Sequence, residues 1–337
     1  MNKYRTVQVI CWIIVFFVFV GLSIWIILGG HLKMGFSGTV GIRGLSGPYN
    51  EVGRYNIDAS GIKNVDFDWV AGEVTVIVFE GDDIQLVEYA QRTLEADEVL
   101  AYDVSGNNLN VEFCEKKMGF LDNMPPKKVE VFIPTELADG FTDFLMKSVS
   151  AQLYISDIKA EYFEAVTVSG DAEINNINAD EIKLSTTSGN FILKDLDAPK
   201  ATMKSVSGEI TLKGMETDEV STKTTSGTVK LEDINTDKVS FDTVSGEVFF
   251  GGHFKKLTVK STSGDIDITE KVVPEAFQIR TVSGRVNIAM PAFEGFRLYN
   301  KSTSGELSCD IPVIKGDDGS EFRIKTTSGD VEIEELK

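Results

Sequence analysis

The chain has 337 residues, with 33 Lys and Arg against 52 Asp and Glu, a formal net charge of −19 and a mean hydropathy of −0.02. Its length admits more than one domain. So negative a charge argues against nucleic acid as a partner, and three cysteines are too few for a disulfide framework.

Residues 1–6 form a short tail that carries Lys3 and Arg5, and Val7 to Leu28 is a run of 22 residues without a charge. That run is long enough to cross a bilayer as a helix, longer than a usual signal-peptide core, and lacks a small-residue cleavage site. The expectation is an uncleaved signal anchor, single-pass, with its N-terminus in the cytoplasm and the remainder extracellular by the positive-inside tendency. Residues 29–53 carry Gly35, Gly38, Gly41, Gly44 and Gly47 among few large apolar residues, which reads as a flexible linker. The three-residue glycine step is too brief and too poor in proline for collagen.

Residues 54–144 contain four apolar alternations, Val65 to Trp69, Val74 to Phe79, Leu109 to Phe113 and Val129 to Ile133. Period two marks strands with one buried face. Gly72 and Gly106 sit where such strands would bend. Met118 to Lys128, with Pro125 and Pro126, reads as a loop, and Glu136 to Met146 as a short helix. The whole stretch reads as an irregular β cap, or the first solenoid turns.

Residues 145–337 repeat one signature: Ser169-Gly170, Ser188-Gly189, Ser207-Gly208, Ser226-Gly227, Ser245-Gly246, Ser263-Gly264, Ser283-Gly284, Ser304-Gly305 and Ser328-Gly329. The intervals are 19, 19, 19, 19, 18, 20, 21 and 24 residues. A unit this short has no core of its own and must bury its apolar side chains against its neighbours. Alternating residues follow each Ser-Gly, as in Phe191 and Leu193, and precede it, as in Ile182, Leu184 and Thr186. By this parity both hydroxyls of Thr186 and Ser188 face inward, and the phase slips at Gly189. Stacked turns then form a hydroxyl ladder, Thr167, Thr186, Ser205, Thr224, Thr243, Ser261, Thr281, Ser302 and Thr326, in which each hydroxyl meets the next about 4.8 Å away. Lys147 to Ile155 extends the pattern one turn earlier, with Ala151 in place of glycine. The prediction is an all-β, single-stranded parallel β-helix of about ten 19-residue rungs and roughly 45 Å of stacked strand, coiled right-handed as parallel crossovers are.

The order of Val65-Asp66-Phe67-Asp68-Trp69-Val70-Ala71-Gly72-Glu73-Val74, Glu80-Gly81-Asp82-Asp83-Ile84, Lys128-Val129-Glu130-Val131-Phe132-Ile133-Pro134 and the Ser-Gly-Asp/Glu repeats resembles the putative adhesin family of bacterial β-solenoid proteins over residues 54–337. The resemblance implies a parallel β-helix of the cell envelope, sometimes tied to envelope stress. It implies no catalytic or ligand residues.

Two outward rows flank the repeated bend. Three residues before each serine stands a basic row, Lys204, Lys223, Lys260, Arg280, Lys301 and Lys325, interrupted by Asp242. Two residues after it stands an acidic row, Asp171, Glu209, Glu247, Asp265, Glu306 and Asp330, interrupted by Asn190, Thr228 and Arg285. The bland reading is a solvated face on which opposite rows offset each other. The functional reading is a binding surface for cationic peptides, cell-wall polymers or other envelope proteins. The calcium-binding glycine-rich nonapeptide is missing, so no metal or other cofactor is expected. Cys114 and Cys309 read as buried packing, and Cys11 lies in the anchor. Of the two histidines, His31 is beside the anchor and His253 follows Gly251-Gly252 with no evident partner for acid-base work.

The leading expectation is thus a non-catalytic, membrane-anchored extracellular solenoid that binds or spaces at the envelope. An alternative is a scaffold of solenoids joined end to end through the C-terminal rung, which ends in Glu332, Glu334, Glu335 and Lys337. A polysaccharide-active enzyme is the remaining alternative.

Overall fold

The computed structural model describes residues 48–115, 125–313 and 320–336. The Val7 to Leu28 run, Cys11, His31 and most of the glycine-rich linker lie outside them, and no described helix is long and apolar enough to cross a membrane.

The first strands close one end of a stack. They are β1 (Asn50–Asp58), β2 (Asn64–Phe79), β3 (Asp83–Ala90), β4 (Ala101–Ser105), β5 (Asn108–Glu112) and β6 (Lys127–Pro134). β1 begins inside the stretch read as linker. Strand β2 is already a solenoid level, with β5 and β6 running parallel to its two halves on one side and β7 (Phe141–Thr167) parallel to it on the other. Beyond β5 and β6 the hydrogen-bonding direction reverses. β4 pairs antiparallel with β5, β3 antiparallel with β6, and β1 antiparallel with β3. Antiparallel strands thus use up the edge groups that the parallel stack would leave open. The helix expected over Glu136 to Met146 is only α1 (Thr135–Ala138), because Phe141, Phe144 and Met146 are buried in the core as the start of β7.

From β7 onward the rungs are parallel: β8 (Ala172–Thr186), β9 (Phe191–Asp197), β10 (Lys200–Ser205), β11 (Ile210–Thr224), β12 (Val229–Thr243) and β13 (Val248–Ser261). Inward rows such as Ala172, Phe191, Ile210, Val229 and Val248 are buried. Each large one contributes about 1.5–3 kcal/mol by leaving water.

Each turn has a corner that the sequence reading did not mark. Asp157, Asn176, Asp195, Gly214 and Asp233, 19 residues apart, hold φ of 63°, 51°, 52°, 75° and 54°. Asn, Asp and Gly tolerate this left-handed region where other side chains are strained. The next rung drops the corner residue. Glu232 registers with Gly251 and Ile234 with Gly252, leaving Asp233 unmatched, which accounts for the single 18-residue interval.

At the Ser-Gly bend the structure corrects the predicted parity. The ladder residues, from Thr167 to Thr326, are buried except for the half-buried Ser302, but the serine of every Ser-Gly is exposed and the glycine behind it is mostly buried. Two consecutive residues, Thr187 and Ser188 for example, face outward, so the phase slips between them and not at glycine. The cause is a closed hydroxyl turn. The Gly227 N–H donates to Thr224 Oγ1 at 2.9 Å, and that hydroxyl donates to the Gly227 carbonyl at 3.1 Å. The same pair of bonds joins Thr243 to Gly246, Ser261 to Gly264 and Thr326 to Gly329. The hydroxyls are therefore spent within their own turns. Among the described residues only Thr167 donates to its counterpart in the next rung, to Thr186 Oγ1 at 3.2 Å. The outward serines bond back to the preceding level instead, as Ser263 does to the Val244 carbonyl at 3.2 Å.

The last two rungs stack out of sequence order. After β14 (Ile266–Glu270), β15 (Ala276–Arg280) and β16 (Val286–Met290) come β17 (Arg297–Lys301), β18 (Leu307–Cys309), β19 (Glu321–Lys325) and β20 (Val331–Glu335). β19 pairs with both β15 and β17, and β20 with both β16 and β18. The C-terminal rung is thus inserted between two earlier ones. Ring packing follows the same order, with Phe322 centred 3.7 Å from Phe277 and 4.2 Å from Phe296. The free edge at this end belongs to β17 and β18, not to the C-terminal strand expected to carry it.

The glycine column admits no side chain: a Cβ on Gly227 would lie 2.2 Å from the Gly208 carbonyl oxygen and 2.8 Å from Ser205 Oγ. Gly227→Ala is expected to destabilise the solenoid by about 1–3 kcal/mol or more, since the clash is with backbone. Urea unfolding of the variant checks this, and an unchanged midpoint would refute it.

Candidate functional site

The basic row emerges as an exposed column whose order follows the stack. Lys204 aligns with Lys223, then come Asp242, Lys260, Arg280, Lys325 and finally Lys301. Lys223 pairs with Asp242 at 3.9 Å. The other members make no ion pair among the described residues, so like charges stand a strand apart with nothing between them.

The acidic row has a different role at its short members. Asp171 Oδ1 accepts the Asn190 N–H at 2.7 Å, Asp265 Oδ1 accepts the Arg285 N–H at 2.8 Å, and Asp330 Oδ1 accepts the Glu306 N–H at 2.9 Å. Asn190 does the same for the Glu209 N–H at 3.0 Å. These side chains fasten the bend of one rung to the bend of the next. Glu209 turns to Lys230, 2.7 Å away, whose hydrogen bond holds its carboxyl below the usual range. Glu247 and Glu306 project freely among the described residues. No ion pair joins the acidic row to the basic row among the described residues, so the two do not offset each other by contact.

A separate acidic groove of about 350 Å³ runs along another corner, lined by Asp197, Glu216, Asp218, Asn235 and Asp237 with Pro199. Its signal was present in the sequence as Asp197, Glu216 and Asn235, and as Asp218 and Asp237, each 19 residues apart. Asp197 accepts from the Asn178 amide at 2.8 Å, and Lys255 lies 2.5 Å from Asp237 and lowers its pKa. Among the described residues no three carboxylate, His or Cys groups are close enough to hold a metal ion.

Two fully buried carboxylates are not marked by the sequence pattern as it was read. In the cap, Glu88 on β3 and Lys127 on β6 are both fully buried, 2.6 Å apart. Both Glu88 oxygens accept the Leu100 N–H at 3.0 and 3.1 Å. The Lys127 ammonium donates to the Glu98 carbonyl at 2.8 Å and to the Phe113 carbonyl, and lies 4.1 Å from the Phe113 ring centroid. Burial pushes its pKa down, and the Glu88 hydrogen bond works the other way. The loop expected to run to Lys128 stops short of this lysine, which is the first inward residue of β6. In the rungs, His253 does have a partner: its Nδ1 is 3.0 Å from Glu270 Oε1. Glu270 is fully buried and also accepts the Val272 and Phe254 N–H groups, each at 3.0 Å. Cys114 is buried as expected; Cys309 is half-buried beside Ile311, its thiol pKa raised by burial.

Residues 62–334 match the Toastrack DUF4097 family model. The chain belongs to the Toastrack DUF4097 family. Among solved structures similar to this Toastrack chain are a putative adhesin from Parabacteroides merdae (16% identity, 87% of this chain and 98% of that one, TM-score 0.49) and a putative adhesin from Parabacteroides distasonis (13%, 86% and 98%, 0.47). A putative lipid binding protein from Parabacteroides distasonis is similar at 19% identity, over 85% of this chain and 96% of that one, with a TM-score of 0.47. No curated protein matches the chain.

Lys127→Met is expected to cost about 3–5 kcal/mol, because it strands a buried carboxylate. Lys127→Met with Glu88→Leu should cost less than the single change, as a double-mutant cycle in urea would show. Desolvation raises the Glu270 pKa, and the donors from His253, Val272 and Phe254 oppose it. The folded state therefore holds the Glu270 proton more tightly than the unfolded state, and the stability it contributes is full below the ordinary carboxylate value and lost as pH rises through the raised one. His253→Ala removes a donor to the anion and should steepen that loss; a thermal midpoint that falls no faster with pH than in the parent would refute the assignment.

Proposed function

We propose that this Toastrack chain is a non-catalytic, membrane-anchored envelope protein whose solenoid lies outside the membrane and works by binding or spacing. The observation that carries the binding reading is the set of straight outward columns, one side chain per rung, over an interior filled with apolar residues. Such columns suit an extended partner better than a small substrate, which needs convergent groups in a concavity. The anchor rests on the uncharged Val7 to Leu28 run behind Lys3 and Arg5. The coil is taken as right-handed, the hand of nearly all parallel crossovers.

End-to-end assembly is the weaker reading. One end of the stack is closed by antiparallel strands, leaving the β17–β18 edge as the open parallel one, and filaments require two complementary ends.

Protease added to intact cells should degrade the solenoid without permeabilisation. Cleavage only after permeabilisation would overturn the extracellular placement. Sedimentation should give a species no larger than a dimer at every concentration, and concentration-dependent fibres would favour the scaffold.

A further inference from the structure

The basic column is one margin of a wider face. The strands that carry it, from β10 through β13 and then β15, β19 and β17, expose three outward positions each. This face holds eleven of the chain's 33 Lys and Arg but only three of its 52 Asp and Glu. On a chain of net charge −19 it is a strongly positive strip surrounded by negative surface. It begins abruptly: the preceding strand β8 offers Glu181, Lys183 and Ser185 at the same positions.

The chemistry changes across the face. The far margin is mixed, with Lys200, Lys238, Lys256 and Arg297 among Glu219, Ala276 and Glu321, and Lys200 and Lys256 facing Glu181 at 2.9 Å and Glu275 at 3.9 Å. Between it and the bend-side cations runs a column of Thr202, Ser221, Ser240, Thr258 and Gln278. These five side chains are half-exposed and make no side-chain hydrogen bond to the protein among the described residues. Towards the end of the column is a depression of about 130 Å³ lined by Gln278, Arg280, Arg323 and Lys325. Beyond it Tyr299, 52% exposed, carries the Arg323 guanidinium 5.2 Å from its ring centroid.

The geometry points to this face as a docking surface for a linear anionic polysaccharide with carboxylates on its sugar units. The bend-side cations attract the carboxylates, and the central hydroxyls and amide offer hydrogen bonds to sugar hydroxyls. The terminal tyrosine supplies an apolar ring for a sugar face. A single aromatic at one end is a poor platform for nucleic acid bases, which stack on aromatics at successive positions. The acidic remainder of the molecule repels polyanions and confines them to the strip. This inference gives the binding half of the proposed function its ligand class. It rests on that reading only for where the polymer is met, so failure to bind in solution would leave the extracellular placement standing.

The test uses the full chain in neutral detergent and the fluorescence anisotropy of labelled polygalacturonate, with dextran, polyphosphate and single-stranded DNA as comparison probes. Binding to polygalacturonate should weaken with added salt and exceed binding to each comparison probe. Lys260→Glu, Arg280→Glu and Lys325→Glu combined should weaken it by about tenfold or more, with the far-ultraviolet circular dichroism unchanged. Ser240→Ala with Thr258→Ala should weaken it several-fold while leaving any residual polyphosphate binding unaltered, and it serves as the test if the charge-reversed variant does not fold. Equal affinity for polyphosphate or DNA, binding to dextran of similar strength, or no effect of either variant would overturn the assignment.

Discussion

The solenoid depends on a hydroxyl that bonds to both the amide and the carbonyl of the glycine three residues later. That bond pair closes a turn tight enough to return the chain to the interior after only two outward residues. It also leaves the carbonyl of each level where a Cβ of the next would stand, so each level from Gly170 outward requires glycine. Side-chain columns, corner geometry and inward packing all inherit their register from this stacked turn. A different residue at one level disturbs two levels, because each glycine is both host and guest.

Much of this was legible before any coordinates. Period-two alternation identified the inward rows, the recurring interval identified the stack, and family membership extends over the same stretch. Parity failed at the serine because an alternation cannot reveal a place where two neighbours point the same way; that depends on the hydroxyl-to-backbone bonds of the turn. It could have located Lys127 and Glu88, since Lys127 shares phase with Val129 and Val131, and Glu88 with Ile84 and Leu86. Pro125 and Pro126 drew Lys127 into a loop instead, and the alternation through Glu88 was not among the four that were read. The basic strip was only partly legible: its column nearest the bend follows from the interval, but the far margin and the hydroxyls between become one surface only when the strands are laid side by side.

Acidic residues serve three distinct ends in this chain. Aspartates at the bend take backbone N–H groups from the next rung, aspartates at the left-handed corner supply a conformation that few residues tolerate, and Glu88 and Glu270 satisfy donors in the interior. Overall charge is therefore a poor guide to the working surface. Many of the carboxylates are occupied with holding the coil together, whereas most cations of the bend-side column have no partner to neutralise them.

The insertion of the C-terminal rung between two earlier ones has a consequence in time. Levels up to β16 can settle on one another in the order in which they are synthesised. Strands β17 and β18 cannot, because the strands they rest on are made after them. Until β19 and β20 arrive, the growing stack ends at β15 and β16, and the outermost rung waits with its apolar residues uncovered. The inserted rung is therefore a keystone: the far end of the coil closes only once residues 321–335 have been made.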